Sequence, residues 1–346
     1  MRRRNDGTIE PNWLAEEVVK RLDGASPKDA RQIGEMLATT LKLLSDEPDL
    51  GQLKLMNHAL KEMRYAYLIF NQYTGIRKVS IFGSARTPED HPDYVAARSF
   101  GRKMAESGWM AITGAGDGIM KAGHEGPQRE ASFGLSIRLP FETTANDVIE
   151  GDAKLINFRY FFTRKLMFVS HSDAIAVFPG GFGTQDELFE SLTLMQTGKS
   201  SIVPVVLVQG DGSDYWQQWE EGVAANLLEC GWISPEDPGL YFIAENVDQA
   251  VEHVLQFYRR YRSSRYVGDR LVLRIDSPLT EEQVAALEDE FKDLVASGGF
   301  EQSGPLPGED THLELPRIHF HHTRRAFGLT RRLIDRINEM PGSDDK

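Results

Sequence analysis

The stretch PGGFGTQDE at 179–187 follows at once on the apolar run AIAVF at 174–178, and it restricts the fold more than any other segment of the chain. A short apolar run passing through glycines into a helix is the strand, loop and helix step of a sheet wrapped by helices. Gly180, Gly181 and Gly183 can take positive φ and bring bare backbone N–H groups close to an anion. Thr184 adds a hydroxyl, and a helix expected over 184–197 aims its positive end at the same point. Glu187 falls about one turn into that helix, within reach of a sugar whose phosphate is held at the loop. A carboxylate is a poor phosphate ligand, so its position points to chemistry on the attached sugar. The plainer alternative is a tight turn with an acid in the first helical turn, where acids are favoured anyway.

The alternation recurs along the chain. Strands are expected at 78–82, 109–113, 133–138, 173–178 and 203–208, and helices at 94–107, 118–128, 160–170, 184–197, 215–228 and 246–262. Such a pattern gives a parallel sheet flanked by helices, and ligands of open α/β sheets collect at the carboxyl ends of the strands. Gly83, Ser84 and Arg86 lie at that edge, Ser84 either as a phosphate or base contact or as the hinge of an ST-turn. TGAGDGIM at 113–120 lies there too. Its glycines are spaced GxGxG, so the dinucleotide fingerprint fails at its third glycine.

NFRYFFTRKLMF at 157–168 reads as an aromatic-rich helix carrying Arg164 and Lys165. Neighbours on a helix point about 100° apart, so at most one of the two is expected to face a buried site. The guanidinium fork favours Arg164 for oriented bonds to base, ribose or carboxylate, leaving Lys165 at solvent or steering a phosphate. Asp173 is expected to brace the strand before the glycine loop, and the acidic, irregular stretch 142–155 to border the site. GKS at 198–200 imitates the end of a Walker motif but follows a helix instead of opening one, so it is no ATPase loop.

These motifs, in this order, resemble the LOG family, Rossmann-like phosphoribohydrolases often mislabelled as lysine decarboxylases. The likeness covers about 76–262 and includes GLSIRLP at 134–140, YFFTRK at 160–165, SDAIAVFPGGFGTQDELFE at 172–190 and LMQTGK at 194–199. It implies a catalytic pair, Arg164 and Glu187, and at least a homodimer with the site near the subunit interface. The usual GGG-P-GIME departs here, with Asp117 gained and Lys121 in place of an acid, which changes local charge near the base or ribose. Extensions at both ends resemble the longer members that cleave ordinary nucleotides, so AMP is the first substrate expected and a cytokinin riboside monophosphate the alternative.

The chemistry stands on the residues as well. Hydrolysis of an N-glycosidic bond passes through an oxocarbenium-like sugar, which a carboxylate stabilises and whose attacking water it orients. Glu187 is placed for that. Three roles are open to Arg164: orienting Glu187, binding ribose hydroxyls, or stabilising the leaving base. Gly83, Ser84, Gly114, Gly116, Lys165, Gly180, Gly181, Gly183 and Thr184 are the candidate substrate and phosphate contacts, anchoring the phosphate so that remote binding energy holds the reacting carbon. No cofactor and no metal is expected, and no pyridoxal-phosphate signature surrounds Lys165 or Lys199, which argues against a decarboxylase. A non-catalytic nucleotide sensor is the contrasting class, and it has little use for a carboxylate near phosphate.

A net charge of −13 over 346 residues argues against a nucleic-acid surface. The lone Cys230 excludes an intrachain disulfide, fits a reducing cytosol and is expected in packing. No signal peptide or membrane-length apolar run is evident, so a cytoplasmic protein is expected. Three parts are expected: a helical extension at 1–75, the catalytic domain at 76–262 and a small α/β domain at 263–346. The first holds helices from Ser26-Pro27 to about 44 and from 50 to about 73, the second with an apolar stripe at Leu53, Met56, Leu60, Met63, Tyr67 and Phe70. The last holds strands at 270–275 and 313–320, helices at 280–296 and 326–338, and a HFHH run at 319–322 that invites a metal without a third ligand at diagnostic spacing. Arg317, Arg324 and Arg325 read there as an anion site or a basic edge, and a regulatory nucleotide is one role open to this part.

Overall fold

Every residue of β1 (Lys78–Phe82), β2 (Met110–Thr113) and β5 (Ala174–Val177) is buried. Strands covered on both faces belong inside a parallel sheet. The computed structural model, which describes residues 18–21, 23–138 and 145–341, contains that sheet. Its seven strands run in the order β4-β3-β2-β1-β5-β6-β7, with β3 at Ser132–Ile137, β4 at Leu155–Phe158, β6 at Val205–Leu207 and β7 at Phe242–Ile243. All neighbours are parallel, which is the expected Rossmann-like class. Pairing of Phe82 with Val177 sends the loops after β1 and β5 out of the sheet side by side.

Alternate residues divide the core. Ile112, Phe133, Ile175 and Val177 pack with Met167 of the helix Phe161–His171 and with Leu188 and Met195 of the helix Phe182–Gln196. On the other face Val79, Ile81, Ala111 and Ala176 pack with Phe100 of Pro92–Glu106, Ile119 of Ile119–Glu125 and Val254 of Val247–Phe257. Asp173 braces the start of β1, accepting from the Lys78 amide at 2.9 Å.

The chain divides into two compact units, Met1–Leu60 and Lys61–Lys346. In the first, Ser26 caps the helix Pro27–Asp46 by accepting from the Asp29 amide. The helix Leu50–Phe70 starts there as well; Leu53, Met56 and Leu60 on it are exposed. In the second, Phe70 stacks on Phe133 with ring centroids 4.5 Å apart.

A four-stranded antiparallel sheet, β10-β11-β9-β8, occupies the C-terminal part, with β8 at Tyr261–Val267, β9 at Arg270–Ile275, β10 at Val295–Ser303 and β11 at Arg317–His322. Several expectations are corrected. The helix 246–262 ends at Phe257, and polar β8 takes over. The helix 280–296 stops at Glu290, and β10 forms by pairing with β11. Its start is as read, with Thr280 and Gln283 closing a capping box.

Arg317 is not a basic edge but fully buried, 3.1 Å from Glu309, which also holds Arg274 at 2.7 Å. Burial opposes the Glu309 carboxylate, yet Arg317, the Leu306 amide and Arg274 overcome it and hold it at about 2. The HFHH rings are engaged in hydrogen bonds: His319 with Ser303 and Arg270, His321 with Ser297, His322 with Tyr266 and Thr330. Cys230 is exposed, two residues past the π-helical segment Ala224–Leu228 that continues the helix Tyr215–Val223. No helix of the described residues is long and apolar enough to cross a membrane.

Candidate active site

The order of strands reverses its growth between β1 and β5, and open α/β sheets present their ligand crevice at that point. There the segments after β1, β2, β3 and β5 surround a cavity of about 940 Å³, a size typical of small-molecule sites. Gly83, Ser84, Gly114, Gly116, Arg164, Gly181, Gly183, Thr184 and Glu187 all line it. Gly180 and Lys165 do not lie among the lining residues.

The glycine loop departs from expectation in its backbone. None of Gly180, Gly181 and Gly183 has positive φ. The helix opens at Phe182 with Gly181 as its N-cap, two residues before the expected start, so Gly183 is already helical. Gly181, Phe182 and Gly183, which carry the orphan amides expected at the start of this helix, all line the cavity. Gly180 is needed for room: a Cβ there would lie 2.2 Å from Thr184 Oγ1 and 3.0 Å from the Ser84 nitrogen. Ser84 is part of the joint, its amide donating to the Pro179 carbonyl at 3.1 Å and its hydroxyl oxygen accepting from the Arg86 amide. The ST-turn is thus formed, and the Ser84 proton is still available to a ligand.

The loop after β2 is held from beneath by a network with no sequence signature. His124 Nε2 lies 3.0 Å from the Phe133 carbonyl, an acceptor only, so that nitrogen carries the proton. Nδ1 then accepts from Asn146 Nδ2 at 3.1 Å, and the same amide donates to the Gly116 carbonyl at 3.0 Å. Burial, against the bonds to Phe133 and Asn146, lowers the imidazole's proton affinity and keeps it neutral. Asn146→Ala strands Nδ1 and the Gly116 carbonyl, and is expected to cost about 1–3 kcal/mol in denaturant unfolding. An unchanged midpoint would contradict this assignment.

Arg164 and Glu187 approach each other across the cavity, with NH2 and Oε1 3.9 Å apart. The Phe161 ring, 5.1 Å from the guanidinium carbon, helps to place it. Glu62 fixes the start of that helix, accepting from the Arg159 amide at 2.8 Å and the Thr163 hydroxyl at 2.6 Å. Lys165 also reaches Glu187, at 3.7 Å, so both neighbours and not just one point toward the carboxylate. Its ammonium is shared with Asp186 at 2.9 Å and Glu190 at 2.7 Å, and it does not line the cavity.

Burial lowers the Lys165 ammonium, but the bonds to Glu190 and Asp186 prevail and raise it. For Glu187 burial wins. It pushes the carboxyl up to about 7 against the pull of Lys165 and Arg164, because one ammonium divided among three acids cannot compensate the lost water. A carboxyl titrating there is suited to general acid–base work. Around it Arg86, Arg138 and Arg164 outnumber Glu150 and Glu187 among the described lining residues, so an acidic protein offers a locally cationic pocket. The stretch 142–155 lies partly outside the described residues; Ala145, Glu150 and Leu155 of it border the cavity, and Leu155 opens a strand.

A family model described as possible lysine decarboxylase matches residues 112–254. The chain is 30% identical over 158 residues, 45% of its length, to the cytokinin riboside 5′-monophosphate phosphoribohydrolase of Mycobacterium tuberculosis, covering 81% of that protein. It belongs to the LOG family. A probable cytokinin riboside 5′-monophosphate phosphoribohydrolase of Oryza sativa subsp. japonica is 26% identical over 181 residues, 50% of this chain and 74% of that one. Among solved structures, a molybdenum cofactor binding protein from Rippkaea orientalis is 21% identical over 52% of this chain and 95% of its own, with a TM-score of 0.37, a likeness that carries no argument. Both LOG-family relatives match about half of this chain; Arg138 and Asn157 line the cavity from within the motifs at 134–140 and 157–168 without being singled out by them, while the buried His124 and Asn146 lie in no motif.

Proposed function

We propose that the protein hydrolyses the N-glycosidic bond of a nucleoside 5′-monophosphate, releasing free base and ribose 5-phosphate. The observation that carries this reading is Glu187, a buried carboxyl titrating near 7, in one cavity with Arg164 and the amides of a helix start. The phosphate sits on the amides of 181–183 and the Thr184 hydroxyl. That places the ribose over Glu187 and the base toward β3 and β4. Water adds to C1′ as the C1′–N bond breaks. The bonding pair leaves with the base, and the water's surplus proton passes to Glu187 and from there to the base, which restores the carboxylate. The carboxylate also faces the developing positive charge on the sugar.

AMP is the first substrate. A cytokinin riboside monophosphate is the second, favoured by the relatives' names and by Ile137, Leu155 and Phe161 on the lining. The protein works as a homodimer or larger homo-oligomer in the cytoplasm; in support, Phe161, Phe162, Leu166, Phe182 and Phe189 are exposed on the two helices that bear the catalytic pair. A catalytic part on the parallel sheet and a C-terminal part on the sheet β10-β11-β9-β8 belong to the same reading, the second available to a regulatory nucleotide.

Glu187 must be ionised to act, so kcat/KM on AMP is expected to rise about tenfold per pH unit below 7 and to level off above it. The substrate's phosphate titrates near pH 6, about one unit lower, and so is distinguishable. A profile that falls as pH rises through 7 would make Glu187 a proton donor and refute this role.

A further inference from the structure

We infer that Tyr215 is a positioning residue that aims the Gly181 amide at the substrate phosphate, an inference that rests on the phosphate-anchored hydrolase proposed above. The residues form a chain of hydrogen bonds whose direction is fixed by chemistry. The Trp219 indole N–H, which can only donate, meets Gln185 Oε1 at 2.9 Å. The Gln185 amide nitrogen therefore faces the Tyr215 oxygen, 2.9 Å away, and donates to it. The phenol's single proton is left for the Gly180 carbonyl, which can only accept, at 2.6 Å.

That last bond holds more than an oxygen. No peptide bond of the described residues is cis, and in a trans peptide the C=O of one residue and the N–H of the next point opposite ways. Fixing the Gly180 carbonyl toward Tyr215, which lies outside the cavity lining, turns the Gly181 N–H toward the cavity that Gly181 lines. The position is otherwise the one most free to rotate, between two glycines, and Gly181 has nothing within 4 Å of a Cβ. Thr184 and Ser84 crowd Gly180 from one side, and the tyrosine hydroxyl closes the other. Gln185 lies one helical position beyond Thr184, so the helix whose first amides meet the phosphate also supplies the link that steers the loop.

Tyr215→Phe keeps the ring on Trp216, their centroids 4.9 Å apart, and removes only the hydroxyl. Its KM for AMP is expected to rise about tenfold, with kcat changing less than threefold. The dissociation constant of ribose 5-phosphate, measured by calorimetry, should rise by the same factor, while inhibition by adenosine, which lacks the phosphate, stays unchanged. Gln185→Leu breaks the chain one bond further out and should shift both quantities less, in the same sense. Unchanged ribose 5-phosphate affinity in Tyr215→Phe would overturn the inference, as would an equal loss of affinity for adenosine. If the wild type releases no base from AMP, the hydrolase reading fails, and the ribose 5-phosphate titration still decides the role of Tyr215.

Discussion

Glu187→Gln is expected to lower kcat on AMP by about 10³-fold while making the protein more stable above pH 7. The two effects have one origin. Burial raises the Glu187 carboxyl from its ordinary value of 4.5 to about 7, so the folded state prefers it protonated. A group raised in this way contributes stability that is fully present below its unfolded pKa, near 4.5, and is lost as pH rises through 7. The difference amounts to on the order of 3 kcal/mol. Glutamine is neutral at every pH and escapes the loss. Its melting temperature should match that of the wild type near pH 4 and exceed it near pH 8. The penalty is what the wild type carries for holding an ionised carboxylate where an oxocarbenium-like sugar would form. Equal melting temperatures at both pH values would show that Glu187 is solvated and unremarkable. A variant less stable at pH 8 would show that Lys165 and Arg164 outweigh burial.

Gly118→Ala is expected to cost about 3–5 kcal/mol, the largest effect on folding of any single methyl near the site. Gly118 has φ 59 and ψ −129, a conformation open to glycine alone. An added Cβ would lie 2.4 Å from the Ser84 carbonyl oxygen and 2.7 Å from the Ala85 carbonyl carbon, both backbone atoms that have nowhere to go. The same Ser84 oxygen accepts from the Ile119 amide at 3.0 Å, so the clash falls on the bond that joins the loops after β1 and β2. Gly183→Ala is the contrast. That glycine is helical, with nothing within 4 Å of a Cβ, and alanine there should stabilise the helix by up to about 1 kcal/mol while placing a methyl on the cavity wall. Activity and stability should therefore separate: Gly118→Ala loses both, Gly183→Ala loses activity alone. A Gly118→Ala protein that melts within a degree or two of the wild type would contradict the interlocked loops.

What the sequence disclosed follows a physical line. The interior strands β1, β2, β3, β5 and β6 of the parallel sheet, and β9 and β11 of the second, were all expected, β11 a few residues early. Each is held on both sides and carries an apolar pattern to match. Those missed, β4, β7, β8 and β10, are the four edges. An edge strand is paired on one side only and can be short, polar or broken by glycine, as Phe242–Ile243, YRSSRYV and VASGGFEQS are. Their pairing comes from neighbours distant in sequence, which no local window contains.

The site divides in the same way. Arg164, Glu187 and the glycine loops stand in contiguous motifs and meet in one cavity. Lys165 was placed at solvent or on phosphate because helical geometry separates neighbours by about 100°. The long stem of a lysine spans that separation and brings its ammonium within 3.7 Å of Glu187. Positive φ was expected at 180–183 and occurs instead at Ala115 and Gly118, because the helix after β5 starts at Phe182 and absorbs Gly183. His124, Asn146 and Tyr215 act through tertiary contacts across 22 and 35 positions of sequence, so residue type alone does not reveal them.

The most direct test of the central claim is to incubate the wild type and Glu187→Gln with AMP, and then with CMP, GMP, IMP, UMP and isopentenyl-AMP, and to separate the products by chromatography. Free base and ribose 5-phosphate in equal amounts from the wild type, with the release lost in the variant, is the result predicted. Intact nucleotide in every wild-type reaction, with binding retained by both proteins, would contradict the hydrolase and leave a nucleotide-binding module in its place.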